Sequence, residues 1–177
     1  KGAPPKSLDW NGKDENNQLI RDGTYNYTLS IVTLAGSKVN MPLQELICDR
    51  QAPSAQVSVE PAIFSPEEGS AKPIAHFFLQ AFDASGQNSW LLRIKTPDAV
   101  KSFFGKGQPP EKVDWDGRTD SGEPAPSGEF QFTLAVRDRA GNTTTTSAQS
   151  VRIDRTEPVT QVEAKPPIFS PNGDNVS

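Results

Sequence analysis

Three closely spaced aspartates are the residues of this chain best suited to bind a metal ion. Asp114, Asp116 and Asp120 are interleaved with glycine in the run Asp-Trp-Asp-Gly-Arg-Thr-Asp-Ser-Gly. Calcium prefers oxygen ligands, so spaced carboxylates with glycine resemble the start of a calcium loop. The same residues suit a tight turn, in which Asp side chains accept hydrogen bonds from backbone N–H groups. Glu123 comes too early to be the late Glu ligand of such a loop. Calcium binding is therefore one hypothesis for these residues, and a tight turn without a metal is the other.

The other chemically reactive side chains form no catalytic pattern. His76 is the single histidine, and no spaced acid or nucleophile accompanies it. Cys48 is the single cysteine, which excludes an internal disulfide, and it is expected to be a small buried strand residue. The run Gly105-Lys106-Gly107 precedes two prolines instead of a helix, unlike a phosphate-binding loop. We therefore expect no enzymatic activity, no catalytic residue and no cofactor apart from the calcium considered above.

The chain contains an internal repeat with a period of 105 residues. When residues 1–72 are aligned on residues 106–177 without a gap, 23 of the 72 pairs are identical. The run Asp-Trp-Asn-Gly at 9–12 meets Asp-Trp-Asp-Gly at 114–117, for example. A period of about 100 residues is too long for a solenoid and is typical of a string of small domains.

Short alternating runs between turn residues predict an all-β protein. The 16 prolines and 13 glycines leave little room for long helices. Apolar residues at every second position from Phe130 to Val136, and from Tyr25 to Ile31 in the first copy, indicate half-buried strands. Further strands are expected at 38–48, 56–60, 75–82, 89–95, 143–153 and 161–165. Asp98–Phe104, which follows Pro97, is the one candidate for a short helical turn.

About seven short strands in about 100 residues are the signature of an immunoglobulin-like β-sandwich. We therefore expect tandem sandwich domains of immunoglobulin or fibronectin-III type, one complete and two partial. Residues 1–50 are interpreted as the C-terminal half of one domain, 54–155 as a complete domain and 159–177 as the opening strand of a further one. Half a sandwich exposes apolar surface, so its missing strands must come from the tail, a neighbouring molecule or chain outside this sequence. The chain is accordingly expected to be a fragment of a longer array.

Three tryptophans raise the alternative of stacking on sugar rings. Trp10 and Trp115 occupy the same position in the two copies, which favours a role as core anchors. Trp90 alternates with Leu92 and Ile94 and is also expected to face inward. Glycan binding is therefore the second hypothesis.

Several motifs resemble a known class of bacterial domains. The run 114–122, the Gly-x-Phe strand after it and the Asp-x-x-Gly-Asn sequence at 138–142 are similar to the Ig-like domain of the bacterial flagellar hook-capping protein and to related repeats of secreted and cell-envelope proteins. Residues 167–174 resemble the F-S-P-N-G-D opening motif of that class, and Asn172 and Asp174 within it are a further calcium hypothesis. The resemblance implies a sandwich used as a spacer, assembly platform or anchor. The first copy departs from it at 11–15, Asn-Gly-Lys-Asp-Glu, where Asn11 and Glu15 stand at the positions of Asp116 and Asp120.

Charge and hydropathy limit the partners. The chain has 18 Lys and Arg against 22 Asp and Glu, a net charge of −4, and no basic run, so no nucleic acid is expected. No apolar stretch is long enough to span a membrane. The leading hypothesis is a non-enzymatic structural or scaffold segment of a bacterial extracytoplasmic protein, in the periplasm, outer envelope or cell surface. Its partners would be other protein subunits or neighbouring repeats, joined by strand pairing. The alternative is a glycan-binding or adhesion module of a cell-envelope protein.

Overall fold

The described part of the chain is all-β, as predicted. The computed structural model describes residues 6–157 and 159–163, which contain thirteen strands and no helix. The described residues accordingly include no helix that could cross a membrane. The strands are β1 Gly23–Tyr27, β2 Ser30–Val32, β3 Lys38–Asn40, β4 Gln44–Cys48, β5 Ser54–Glu60, β6 Ile63–Phe64, β7 Ala75–Phe82, β8 Gln87–Lys95, β9 Val100–Lys106, β10 Lys112–Trp115, β11 Gly128–Asp138, β12 Thr143–Thr145 and β13 Gln149–Ile153.

Strands β5 to β13 form a two-layer sandwich. One sheet has the order β10-β7-β5, and the other has the order β6-β13-β11-β8-β9 with β12 also paired to β11. Neighbouring strands are antiparallel except β6 and β13, which run parallel. Two mainly antiparallel sheets packed face to face make an immunoglobulin-like sandwich, so the predicted fold class is confirmed.

Alternate side chains of the central strands fill the space between the two sheets. Phe77 of β7 is fully buried, and so are the four apolar residues of β11 that the sequence pattern placed inward. The Phe77 and Phe132 rings meet edge to face across the layers, with centroids 5.0 Å apart. Such aromatic pairs contribute about 0.5–1.5 kcal/mol beyond the area they bury. The buried hydrophobic core of the described part is made of residues between Val57 and Ile153.

The helical turn expected at Asp98–Phe104 is wrong. Most of this segment belongs to β9, which pairs with β8 along its whole length. A tight turn precedes it, in which Thr96 N donates to Ala99 O at 2.8 Å. Phe103 packs against the core while Phe104 is 77% exposed. Neighbouring residues on opposite faces have the period of a strand, and the edge of β8 supplies the hydrogen bonds that a helix would otherwise make.

Residues 6–50 form two separate two-stranded sheets, β1 with β4 and β2 with β3. Their registers match those of the complete sandwich at a distance of 105 residues. Gly23 pairs with Cys48 as Gly128 pairs with Ile153, and residues 30–32 pair with 38–40 as 135–137 pair with 143–145. The strand expected over residues 25–31 is interrupted after Tyr27, whereas its counterpart β11 is continuous. The expected strands 38–48 and 143–153 are each divided in two.

The tail is only partly described. Residues 161–163 form no strand, and Val159 and Val162 are almost fully exposed. The rest of the expected strand at 161–165, the motif at 167–174 and the calcium hypothesis at Asn172 and Asp174 lie outside the described residues.

Candidate functional sites

The three aspartates first considered for calcium meet three different partners. Asp114 lies on β10 directly opposite His76 of β7, and its Oδ1 is 2.7 Å from His76 Nδ1 and 3.4 Å from Lys112 Nζ. The hydrogen bond with His76, aided by the Lys112 charge, lowers the pKa of Asp114. The side chain of His76 is partly exposed.

The other two aspartates bind backbone N–H groups at separate places. Asp116 Oδ1 accepts from Arg118 N at 3.1 Å within the turn, and Asp120 Oδ1 accepts from Ser102 N at 2.9 Å on β9. The Asp116 contact is that of the turn interpretation, whereas Asp120 connects the turn to β9. Calcium at Asp114, Asp116 and Asp120 stays a prediction.

The two equivalent tryptophans make the same hydrogen bond but differ in burial. Trp115 Nε1 donates to Arg118 O at 2.8 Å, and Trp10 Nε1 donates to Lys13 O at 2.7 Å. Trp115 is a core anchor, as expected, whereas Trp10 is 49% exposed. The prediction that Trp10 is a core anchor is therefore wrong for the described structure. The reason is that Phe64 of β6 and Phe77 of β7 cover Trp115. Both strands lie before residue 106, the position with which residue 1 aligns, so residues 6–50 contain no equivalent of them.

The apolar residues of 6–50 form an exposed surface that we call the open face. It comprises Tyr25, Tyr27 and Ile31, with Leu46 and Cys48 beside them. Tyr27 is 55% exposed, and the described chain buries none of the five. Their counterparts 105 residues on are all at most 1% exposed, namely Phe130, Phe132, Val136, Val151 and Ile153.

A second site lies at the joint between residues 6–50 and the sandwich. Asn142 Nδ2 donates to two carbonyl oxygens of the joint, Asp49 O at 3.2 Å and Gln51 O at 3.0 Å, and to Asp138 Oδ2 at 2.8 Å. Asp138 Oδ1 in turn accepts from the backbone N–H groups of Gly141 and Asn142. The Asp-x-x-Gly-Asn sequence therefore does more than close a turn, since its asparagine ties the joint to the sandwich.

Three carboxylates converge at the same joint. Asp49 follows β4, Asp83 lies in the β7–β8 turn and Asp138 ends β11, and each offers an oxygen within 4.8 Å of the others. Asp49 and Asp83 line a cleft of about 470 Å³ between the β1–β4 sheet and the sandwich. Sequence reasoning missed this group, because the three residues come from separate stretches. The sequence feature that could have indicated them is that each aspartate lies at the end of a predicted strand.

One stretch of the chain matches a model of a known protein family. Residues 106–155 match a family model described as a bacterial Ig-like domain. By the 105-residue alignment, residues 1–50 correspond to that matched stretch. No curated protein is significantly similar to the chain.

Two solved structures are similar to the chain at low sequence identity. The crystal structure of dimeric latent PorU from Porphyromonas gingivalis is 14% identical with a TM-score of 0.43, and the match covers 76% of this chain and 12% of that one. The fibronectin(III)-like modules of Clostridium thermocellum CbhA are 15% identical with a TM-score of 0.44, covering 83% of this chain and 70% of that one. The chain thus spans a small part of PorU. The match to a bacterial Ig-like domain model over residues 106–155 agrees with the immunoglobulin-like topology of strands β5 to β13, a fold consistent with a structural or adhesion module.

Proposed function

We propose that the chain is a structural segment of a bacterial extracytoplasmic protein built from tandem Ig-like sandwiches. It acts as a spacer, stalk or assembly platform. In this proposal residues 1–50 are the C-terminal half of one domain, 54–155 are a complete domain and 159–177 begin another. The motifs shared with repeats of secreted and cell-envelope proteins, together with the bacterial family match, support a location outside the cytoplasm.

The open face is the observation that carries the proposal. Its five residues repeat, in type and register, five residues that are buried when β11 and β13 face an opposing sheet. Apolar surface of this kind contributes about 25 cal/mol per Å² when it is removed from water. Strands equivalent to β5 and β7 would bury it, and the preceding half of the repeat, residues 54–105, carries those two strands.

The joint supports a semi-rigid string of domains. The linker between Cys48 and Ser54 is short and contains Pro53, which restricts its backbone. Arg50 pairs with Asp22 at 2.7 Å, so the linker is also held on its N-terminal side. A linker fixed at both ends keeps neighbouring domains at a defined angle, as a stalk or platform requires.

Completing the first domain tests the proposal. Because the repeat has no gap, a second copy of residues 54–105 can be fused directly before Lys1, so that Gly105 runs into Lys1 as it does into Lys106. We expect amide hydrogen exchange of β1 and β4 to slow, and the fluorescence of a dye that binds apolar surface to fall. Small-angle X-ray scattering should show two sandwiches in line.

A matched control is the same fusion with Phe77→Asp in the added copy only. The aspartate would be buried without a partner, so the added half should not dock, and β1 and β4 should exchange as in the original chain. The proposal fails if the intact fusion leaves exchange of β1 and β4 unchanged.

Adhesion through glycans is the second candidate function, and exposed aromatic residues favour it. Phe82 and Phe104 are 73% and 77% exposed, and aromatic faces can stack on sugar rings. A glycan array probed with the intact chain and with Phe104→Ala distinguishes adhesion from the spacer function. A hit that the substitution removes would favour adhesion, and the spacer proposal expects no hit.

A further inference from the structure

We propose that Asp49, Asp83 and Asp138 bind one calcium ion at the joint between residues 6–50 and the sandwich. The inference goes beyond the proposed function and does not depend on it, because all three residues belong to the described part of one chain. Asp49 belongs to the joint, whereas Asp83 and Asp138 belong to the sandwich. An ion held by all three would connect the two parts directly.

An unsatisfied carboxylate oxygen points to a missing ligand. Asp49 Oδ1 accepts from Gln51 N at 3.0 Å. Asp49 Oδ2 exposes less than 1 Å² and has no hydrogen-bond donor among the described residues. A buried charged oxygen without a partner is costly, and a cation coordinated by it removes that cost.

The three carboxylates accept hydrogen bonds, Asp83 from Ser85 and Asp138 from Gly141 and Asn142, but no cationic side chain of the described residues pairs with them. Asp138 is fully buried. Carboxylates so close together repel one another, and buried like charges persist only with a counter-charge or a metal. A divalent cation supplies that charge.

The donor set favours calcium over other metals. The three carboxylates offer only oxygen ligands. The carbonyl oxygens of Asp49 and Gln51 are close by, because they accept hydrogen bonds from the same Asn142 Nδ2 as Asp138 Oδ2. Calcium takes six to eight oxygen ligands in adaptable geometry, whereas magnesium requires a near-ideal octahedron. The cleft lined by Asp49 and Asp83 gives an ion access from solvent.

Calorimetric titration of the metal-stripped full chain with CaCl₂ tests the inference. We expect one calcium ion per chain, with a dissociation constant of the order of 10⁻⁴–10⁻³ M as in extracellular modules. MgCl₂ should bind more weakly. Asp49→Asn and Asp83→Asn should each weaken calcium binding about tenfold or more, since each removes a charged ligand. Calcium should also raise the melting temperature of the original chain but not of these variants.

The repeat provides a matched control. Asp154 is the counterpart of Asp49, and its Oδ1 accepts from Thr156 N at 2.9 Å as Asp49 Oδ1 accepts from Gln51 N. Asp154→Asn should leave calcium affinity within about twofold, because no group of converging carboxylates among the described residues includes Asp154. Circular dichroism in chelator checks that each variant folds.

Three outcomes would overturn the inference. The first is no calcium binding up to about 10 mM, which lies above the weakest class of protein sites. The second is equal affinity in the original chain, Asp49→Asn and Asp83→Asn. The third is loss of binding with Asp114→Asn or Asp120→Asn instead, which would place the ion at the first group of aspartates.

Discussion

At the scale of single residues, the two copies show which side chains a turn needs. Asp116 Oδ1 accepts from Arg118 N at 3.1 Å, and Asn11 Oδ1 accepts from Lys13 N at 3.2 Å. An amide oxygen thus replaces a carboxylate oxygen without loss of the contact, so this position requires an acceptor and not a charge. The position of Asp49 and Asp154 differs from that of Asn11 and Asp116, because both copies have a carboxylate there.

The His76–Asp114 pair gives a prediction about pH. The pKa of Asp114 in the folded chain lies below its ordinary value of 3.8, chiefly because of the hydrogen bond with His76. The interaction therefore stabilises the fold fully above that ordinary value and is lost as pH falls through the lowered pKa. In a double-mutant cycle of His76→Ala and Asp114→Ala, we expect a favourable coupling energy near pH 5 that shrinks toward pH 2.

The measurement is urea unfolding of the four chains at a series of pH values. Because both side chains are well exposed, the coupling should be modest, about 1 kcal/mol or less. A coupling energy that does not change with pH would contradict the interpretation.

At the scale of elements, a strand's length and burial depend on its neighbours. Strand β11 pairs with β8 along residues 131–138 and packs on β7 across the core. Strands β1 and β2 have the same residue pattern, but the described chain gives them only β4 and β3 as partners. The pattern that makes one continuous buried strand therefore makes two short exposed ones.

Substitution of equivalent residues in the two copies measures this difference. Phe132→Ala removes a fully buried ring that meets Phe77 and should reduce the free energy of unfolding by about 3–5 kcal/mol. Tyr27→Ala, at the counterpart position on the open face, should change the main transition by at most about 0.5 kcal/mol. Thermal and urea unfolding followed by tryptophan fluorescence gives both values. Equal losses would mean that Tyr27 is buried in solution.

At the scale of the whole molecule, the joint decides whether the two parts move as one. The side chain of Asn142 is the contact that reaches from the sandwich to the carbonyl oxygens of the linker. The proposed calcium site lies next to it. Because these hydrogen bonds join the two parts, their relative position should respond to substitution of Asn142.

Asn142→Ala should loosen the joint without unfolding the sandwich. We expect a broader distance distribution between spin labels at positions 38 and 95, measured by electron–electron resonance in a Cys48→Ser background. Gln108→Ala is the matched control, because Gln108 Nε2 donates to Ala81 O at 2.9 Å within the sandwich alone. The role of Asn142 is refuted if both variants give the distribution of the original chain.

The residue pattern alone was sufficient for the fold class, the inward residues of β8 and β11, and the buried Trp115. These follow from a period of two and from turn residues, which act locally and are visible in one dimension. The 105-residue repeat was equally visible, since it needs only alignment of the chain on itself.

The tertiary structure decided what depends on neighbours distant in the chain. Asp98–Phe104 became a strand because β8 offered its edge. Trp10 stayed half-exposed because no opposing sheet within residues 6–157 covers it, although its spacing is that of Trp115. The carboxylates of Asp49, Asp83 and Asp138 met only through folding. Side-chain periodicity is a local property, whereas burial and the meeting of charges depend on which surfaces the folded chain brings together.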